Sequence, residues 1–230
     1  MDLEKLLELE GRIGVGFSNH DLLLQALTHR SYLNERPKWH FDHNERLEFL
    51  GDAVLELVVT EYLYNNYPNP EGELTNWRAA LVNSIMLSKI STKFDLNSYV
   101  LLSHGEARDT GRARQYILAN AVEAIIGAIY LDQGYGACDG FIKKFVLDEL
   151  KNILESGSYK DYKSLFQEQA QEHAGITPTY EVMKEWGPDH AKHFHVGVYL
   201  EKDLIGEGTG PSKQDAQQAA AESALKNKEW

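Results

Sequence analysis

The stretch Asn44-Glu45-Arg46-Leu47-Glu48-Phe49-Leu50-Gly51-Asp52-Ala53-Val54-Leu55 decides how this chain is read. On a helix, Glu45, Glu48 and Asp52 stand at i, i+3 and i+7, so all three carboxylates fall on one face. Like charges at that spacing repel and weaken the helix modestly. A plain surface helix would interleave lysines, yet none occurs between Asn44 and Asn65. Gly51 is a second oddity, since glycine inside a helix costs about 1 kcal/mol relative to alanine. Something is therefore expected to approach the backbone closely there.

A second run, Leu118 to Leu131, carries Asn120-Ala121-Val122-Glu123. Glu123 is an isolated charge among apolar residues, with Asn120 one turn earlier on its face. A buried carboxylate needs a partner or a metal. Two helices, each offering oxygen ligands, can converge on a hard divalent cation. Mg²⁺ takes oxygen ligands in octahedral geometry and keeps several waters. Such a site can activate water for attack on a phosphodiester and stabilise the leaving oxygen. Spacing alone equally fits a solvated acidic surface, and Glu123 alone fits an ion pair with Arg46, Arg78, Arg112 or Arg114.

Outward from these two runs, residues 1 to about 152 read as helix after helix. Asp21 to Leu33 places Leu22, Leu23, Ala26 and Leu27 on one face. Asn44 to Tyr64 is a long amphipathic run, closed by Asn65-Asn66-Tyr67-Pro68-Asn69-Pro70. Glu73 to Phe94 reads as another, Ser103 to Gly111 as a loop, and Ala113 to Leu131 and Tyr135 to Leu154 as two more helices. Glu155-Ser156-Gly157-Ser158 has linker composition. Beyond it, Lys160 to His173 is helical and Thr179 to Trp186 is a strand. Phe194, Val196, Val198 and Leu200 alternate with His193, His195, Gly197 and Tyr199 in the period of a half-buried strand. Asp203 to Gly208 makes a short third strand, and Gln214 to Lys226 an alanine-rich helix. The expected fold is an all-α domain over 1–154, a linker at 155–159, and a small α+β domain of order α-β-β-β-α over 160–229.

Composition narrows the setting. The chain has 230 residues, 43% hydrophobic and 25% charged, ordinary for a globular protein. No apolar run reaches the roughly 18 residues that suggest a membrane span, and no signal-peptide pattern opens the chain. The single cysteine, Cys138, suits a reducing compartment. A cytoplasmic location is expected, with no membrane partner. The net charge of −12 argues against nucleic acid. Carboxylates committed to metal ions and local basic patches soften that objection.

Glu45 through Leu55 resembles the signature motif of the bacterial ribonuclease III family. Ala26-Leu27-Thr28-His29-Arg30-Ser31, Glu71-Gly72-Glu73 and Val122-Glu123-Ala124-Ile125-Ile126-Gly127 match in the same order, and the tail resembles that family's double-stranded RNA-binding domain. The resemblance implies an endonuclease that cuts duplex RNA to 5′-phosphate and 3′-hydroxyl ends, works as a homodimer and matures ribosomal and other structured transcripts. It implies Mg²⁺, with Mn²⁺ able to substitute. Carried over by position, Asp52 and Glu123 are the catalytic residues. Glu48, Asn120, Glu123 and Asp52 hold the metal, and Glu45 and Glu71 are secondary acidic positions. Where the family most often has aspartate, this chain has Asn120, which can ligate Mg²⁺ but adds no charge. The expected result is a site weaker for metal. The alternative is a duplex-RNA-binding protein that does not cut, its centre disabled by Asn120.

In the tail the resemblance assigns Gln167, Glu168 and Gln171 to the RNA minor groove and His190, in the loop Gly187-Pro188-Asp189-His190, to a neighbouring one. Ser212 and Lys213 are assigned to the phosphates. Gln214 and Gln217 stand where the family favours lysine. Residues 159–230 hold eight lysines against twelve acidic residues, a net of −4. Weak, strongly magnesium-dependent RNA binding is the resulting expectation.

Overall fold

Gly51 lies within α4 (Glu45–Asn66), and there α4 meets α8 (Arg112–Gln133) backbone to backbone. A methyl group on Gly51 would stand 1.7 Å from the Glu123 carbonyl oxygen, and one on Gly127 2.2 Å from that of Leu47. Neither position has room for a side chain, so the glycine that costs α4 helical propensity is what lets the helices touch. The computed structural model describes residues 2–157, 159–188 and 191–230. They fall into two compact units, Met1–Tyr159 and Lys160–Trp230.

In the first unit α8 is the central helix, with Ala121, Val122, Ala124, Ile125, Ile126, Ala128 and Ile129 fully buried. Around it stand α1 (Leu3–Ile13), α2 (His20–Ala26), α3 (Arg30–Glu35), α5 (Glu71–Val82), α6 (Ser84–Thr92), α7 (His104–Arg108), α9 (Tyr135–Phe145) and α10 (Leu150–Ser156). Four sequence readings are corrected. Asp21 to Leu33 is two helices, because the backbone between them leaves the helical ladder for distant partners: Leu101 N–H donates to the Leu27 carbonyl, His29 N–H to Leu101, and Asn44 N–H to Thr28. Glu73 to Phe94 divides at Asn83, whose extended backbone (ψ 159°) starts a new helix while its side chain caps the Met86 amide. The presumed loop after Ser103 is a helical turn capped by that serine. Tyr135 to Leu154 breaks after Phe145 into a 3₁₀ turn over Leu147–Glu149 and then α10. After α10 the chain stays with this unit, and the Tyr159 ring meets Trp77 edge-on at 5.9 Å.

Glu149, which sequence reading passed over, is more deeply buried than Glu10, the other buried acid among the described residues of this unit. It is only 4% exposed, and it is clasped by Lys89 (2.7 Å) and Lys93 (2.8 Å), with Asn152 donating a third hydrogen bond. Those ammonium groups hold its carboxyl down at about 2.

The second unit runs α11 (Tyr162–Ala174), β1 (Thr179–Trp186), β2 (His193–Leu200), β3 (Asp203–Gly210) and α12 (Lys213–Lys228). The antiparallel sheet has order β1-β2-β3. Val196 and Val198 are fully buried with Phe166 and Ala170 of α11, as the alternation in the sequence requires. Between β3 and α12 there is almost no side-chain layer. Methyl groups on Gly206, Gly208 and Gly210 would stand 2.5, 2.2 and 2.7 Å from the backbone nitrogens of Ala224, Ala220 and Ala216. That explains both the glycine run and the alanine-rich helix.

Two outcomes follow. Gly127→Ala should lower unfolding stability by about 3 kcal/mol, because overpacking outweighs the roughly 1 kcal/mol gained in helix propensity, and urea titration of the full chain measures it. Glu149 has a folded-state value of about 2 against an ordinary 4.5, so its contribution is present above pH 4.5 and lost as pH falls through that window. At pH 7 the parent should exceed Glu149→Gln by about 2 kcal/mol, with the gap closing toward pH 2; urea titrations at a series of pH values test this.

Candidate active site and RNA-facing surface

The α4–α8 contact determines which acids meet. Glu48 and Asp52 lie one turn before Gly51 and directly after it, while Glu123 lends its own carbonyl to the contact. The side chains of Glu48, Asp52 and Glu123 therefore share one electrostatic environment. Glu123 is half-buried, and its carboxyl is pushed up to about 8, first by burial and then by the charges of Asp52 and Glu48. No cation figures among the influences on it, so the ion pair with an arginine that spacing left open does not form. Burial also raises Glu48, with Glu45 adding repulsion, while a hydrogen bond from Asn120 opposes the shift. The structure thus brings together Glu48, Asp52, Asn120 and Glu123, with Glu45 at the edge. Glu45 pairs with Arg30 at 3.4 Å and His43 at 3.7 Å.

Glu71 is not in this group. It opens α5, accepts a 3.0 Å hydrogen bond from Thr75, and borders a separate cleft of about 490 Å³ with Thr60, Leu63 and Tyr64.

These donors fit a hard divalent cation. All are oxygens, and Glu123 is a carboxyl that burial first, and the charges of Asp52 and Glu48 second, push up to about 8, a state that a bound cation would offset. Among the described residues no three His, Cys, Asp or Glu side chains already enclose an ion-sized space, so binding one requires the carboxylates to draw together.

In the second unit Gln167, Glu168 and Gln171 are exposed along α11 and line one shallow cleft, as their spacing predicts. Ser212 caps α12 by accepting from the Asp215 amide. Lys213 stands 5.8 Å from the Phe194 ring centre. His190 and Asp189 lie outside the described residues. Two lysines were missed. Lys163 donates to Gln217 at 2.8 Å, which gives that glutamine a role tying α11 to α12. Lys192 lies 6.0 Å from the same Phe194 ring as Lys213. Its signal was available: Lys192 precedes Phe194 by two, the spacing that keeps strand residues on one side.

Comparison with known proteins agrees with this layout. Residues 19–150 match the model described as Ribonuclease-III-like, and 162–228 the double-stranded RNA binding motif. The chain is 45% identical to Ribonuclease 3 of Borreliella afzelii over 223 residues, covering 96% of this chain and 91% of that one. It is 46% identical to Ribonuclease 3 of Natranaerobius thermophilus over 221 residues, covering 96% and 95%. The solved nuclease domain of ribonuclease III from Campylobacter jejuni superposes with a TM-score of 0.55 at 40% identity, covering 61% of this chain and 95% of that one. With a nuclease unit and an RNA-binding unit matched nearly end to end, the chain belongs to the ribonuclease III family of endonucleases acting on double-stranded RNA.

Proposed function

We propose that this enzyme cuts duplex RNA at the acidic cluster where α4 meets α8, in a metal-dependent reaction leaving 5′-phosphate and 3′-hydroxyl ends. Residues 1–154 form the cutting module and 160–229 the duplex-binding one. The observation that carries the reading is the half-buried Glu123 carboxyl, raised by burial and by the charges of Asp52 and Glu48, with no ion-pair partner among the described residues. Glu48, Asp52, Glu123 and the Asn120 side-chain oxygen would hold Mg²⁺, or Mn²⁺ in its place. When bound, such an ion lowers the pKa of water and stabilises charge on the phosphate oxygens.

The chain's own groups do the rest. Asn120 hydrogen-bonds Glu48 and so orients it. Glu123 carries a proton at neutral pH until a cation is taken up, so uptake is coupled to proton release. Asp52 is the most exposed of the three, so it is the one most open to an incoming phosphate.

A second copy of the chain completes the enzyme. Phe49 is 82% exposed and Tyr64 79%, with Leu57 between them on one side of α4; large apolar groups in such a row favour burial against a partner. The Campylobacter jejuni relative is described as having a region involved in dimer formation. The substrates in the cell are structured ribosomal, messenger and transfer RNA precursors, and the setting is the cytoplasm.

Duplex RNA with Mg²⁺ should yield short products bearing 5′-phosphates, and EDTA should stop the reaction; intact duplex at saturating Mg²⁺ would overturn the proposal. Glu123→Gln should abolish cutting while leaving duplex binding within about threefold of the parent, as a neutral isostere removes charge but little shape. The same variant separates stability from activity. The parent carboxyl titrates near 8 when folded and 4.5 ordinarily, so the folded state loses stability as pH rises through that window. In EDTA at pH 9, Glu123→Gln should be more stable by about 1–2 kcal/mol after allowance for solvent screening, and indistinguishable below pH 4.5. Asn120→Asp should lower the Mg²⁺ giving half-maximal cutting by about tenfold, since ligand charge sets affinity.

A further inference from the structure

Strand β2 opens with His193-Phe194-His195, and residues two apart on a strand project from the same side of the sheet. Val196 and Val198 are fully buried with Phe166 and Ala170 of α11, so His193 and His195, of the opposite alternation, lie on the sheet's open face. Strand geometry sets their Cα atoms about 7 Å apart, a span across which two imidazoles can converge on one ion with nitrogen–metal bonds of about 2 Å. Both rings are already held. His193 stacks on Trp186, its partner on β1, with planes 17° apart and centres 5.7 Å apart. Stacking occupies the faces of the imidazole and leaves its nitrogens, which lie in the ring plane, free to bind. The Nε2 atom of His195 meets a carboxylate oxygen of Glu207 at 3.2 Å. Glu207 stands opposite Gly197 in the ladder, so its side chain reaches diagonally to the ring. A carboxylate on one imidazole nitrogen fixes the ring and makes the other nitrogen, here Nδ1, a better metal donor. Lys184, paired with His195 from β1, is the cation on this face, and its ammonium group lies toward the Trp186 ring at 6.0 Å.

We propose that His193 and His195 chelate a late divalent transition metal (Zn²⁺, Ni²⁺ or Cu²⁺) on the open face of the second unit, and that Glu207 positions the His195 ring. Imidazole nitrogen suits these ions, whereas Mg²⁺ takes oxygen donors of the kind gathered between α4 and α8. The two units therefore sort cations by donor type. Among the described residues no three His, Cys, Asp or Glu side chains enclose an ion, so this site is a two-point clamp with water completing the shell. Helices α11 and α12, which carry Gln167, Glu168, Gln171 and Lys213, pack on the other side of the sheet, and metal binding here stands apart from duplex binding.

The test is titration of Ni²⁺ into the full chain in millimolar Mg²⁺, which fills the oxygen donors of the nuclease unit and competes poorly for imidazole. Tryptophan fluorescence reports on it, because a paramagnetic ion held by His193 quenches the Trp186 ring stacked on that side chain. The parent should bind a single ion per chain with half-saturation in the micromolar range. His195→Ala and His193→Phe should each weaken binding by about tenfold or more, since losing one of two linked ligands forfeits their effective concentration. Phenylalanine keeps a ring on Trp186 while removing the nitrogens, so its loss of affinity is not a loss of packing. Glu207→Gln should weaken binding by about tenfold. Trp186→Phe should remove most of the quench while calorimetry still reads binding near the parent's. Half-saturation of the parent in the millimolar range, the affinity of a lone exposed histidine, would overturn the site. Parental affinity in either histidine variant would overturn chelation by the pair and place the ion elsewhere. Parental affinity in Glu207→Gln would overturn its positioning role alone.

Discussion

The contact between Gly51 and the Glu123 carbonyl is the constraint from which the rest of the catalytic unit follows. Two 22-residue helices cross without a side-chain layer between them, and only glycine permits that on both sides. At this separation the acids flanking the crossing are close enough for the charges of Glu48 and Asp52 to act on Glu123.

Two of the unit's glutamates show what surroundings do to charge. Glu149 has two lysines and an asparagine around it and is driven to about 2; Glu123 has burial and then two carboxylates acting on it and is driven to about 8. Residue type is constant and the neighbours decide the sign. One arrangement is a finished structural clasp that fastens α6 to the turn before α10. The other is electrostatically incomplete, and incompleteness of this kind marks functional sites more often than structural ones.

Much of this was legible in the sequence, for reasons that differ by residue. The α4 signature could be read because helical period alone puts Glu45, Glu48 and Asp52 together, and the cost of Gly51 pointed to a close neighbour. What that neighbour was could not be read, since the Glu123 carbonyl belongs to every residue type alike. The strands of the second unit were legible from alternation, β2 above all. The breaks at Leu27–His29 and after Phe145 were not: the first is imposed by hydrogen bonds to Leu101 and Asn44, far along the chain, and apolar period runs through both. The break at Asn83 did carry a signal, an asparagine able to cap the following turn. Half of the Lys192 relation was legible, its two-residue spacing from Phe194; that Lys213, from the start of α12, meets the same ring is encoded in no local pattern.

The bare contact between β3 and α12 has its own consequence. Because Gly206, Gly208 and Gly210 meet the alanines of one helical face directly, that face sets how closely α12 lies on the sheet, while Gln217 and Gln218 tie the helix to α11. Gln214 is exposed and belongs to neither contact, so the charge at that position can be changed, and grip on a polyanion retuned, without disturbing how the domain folds.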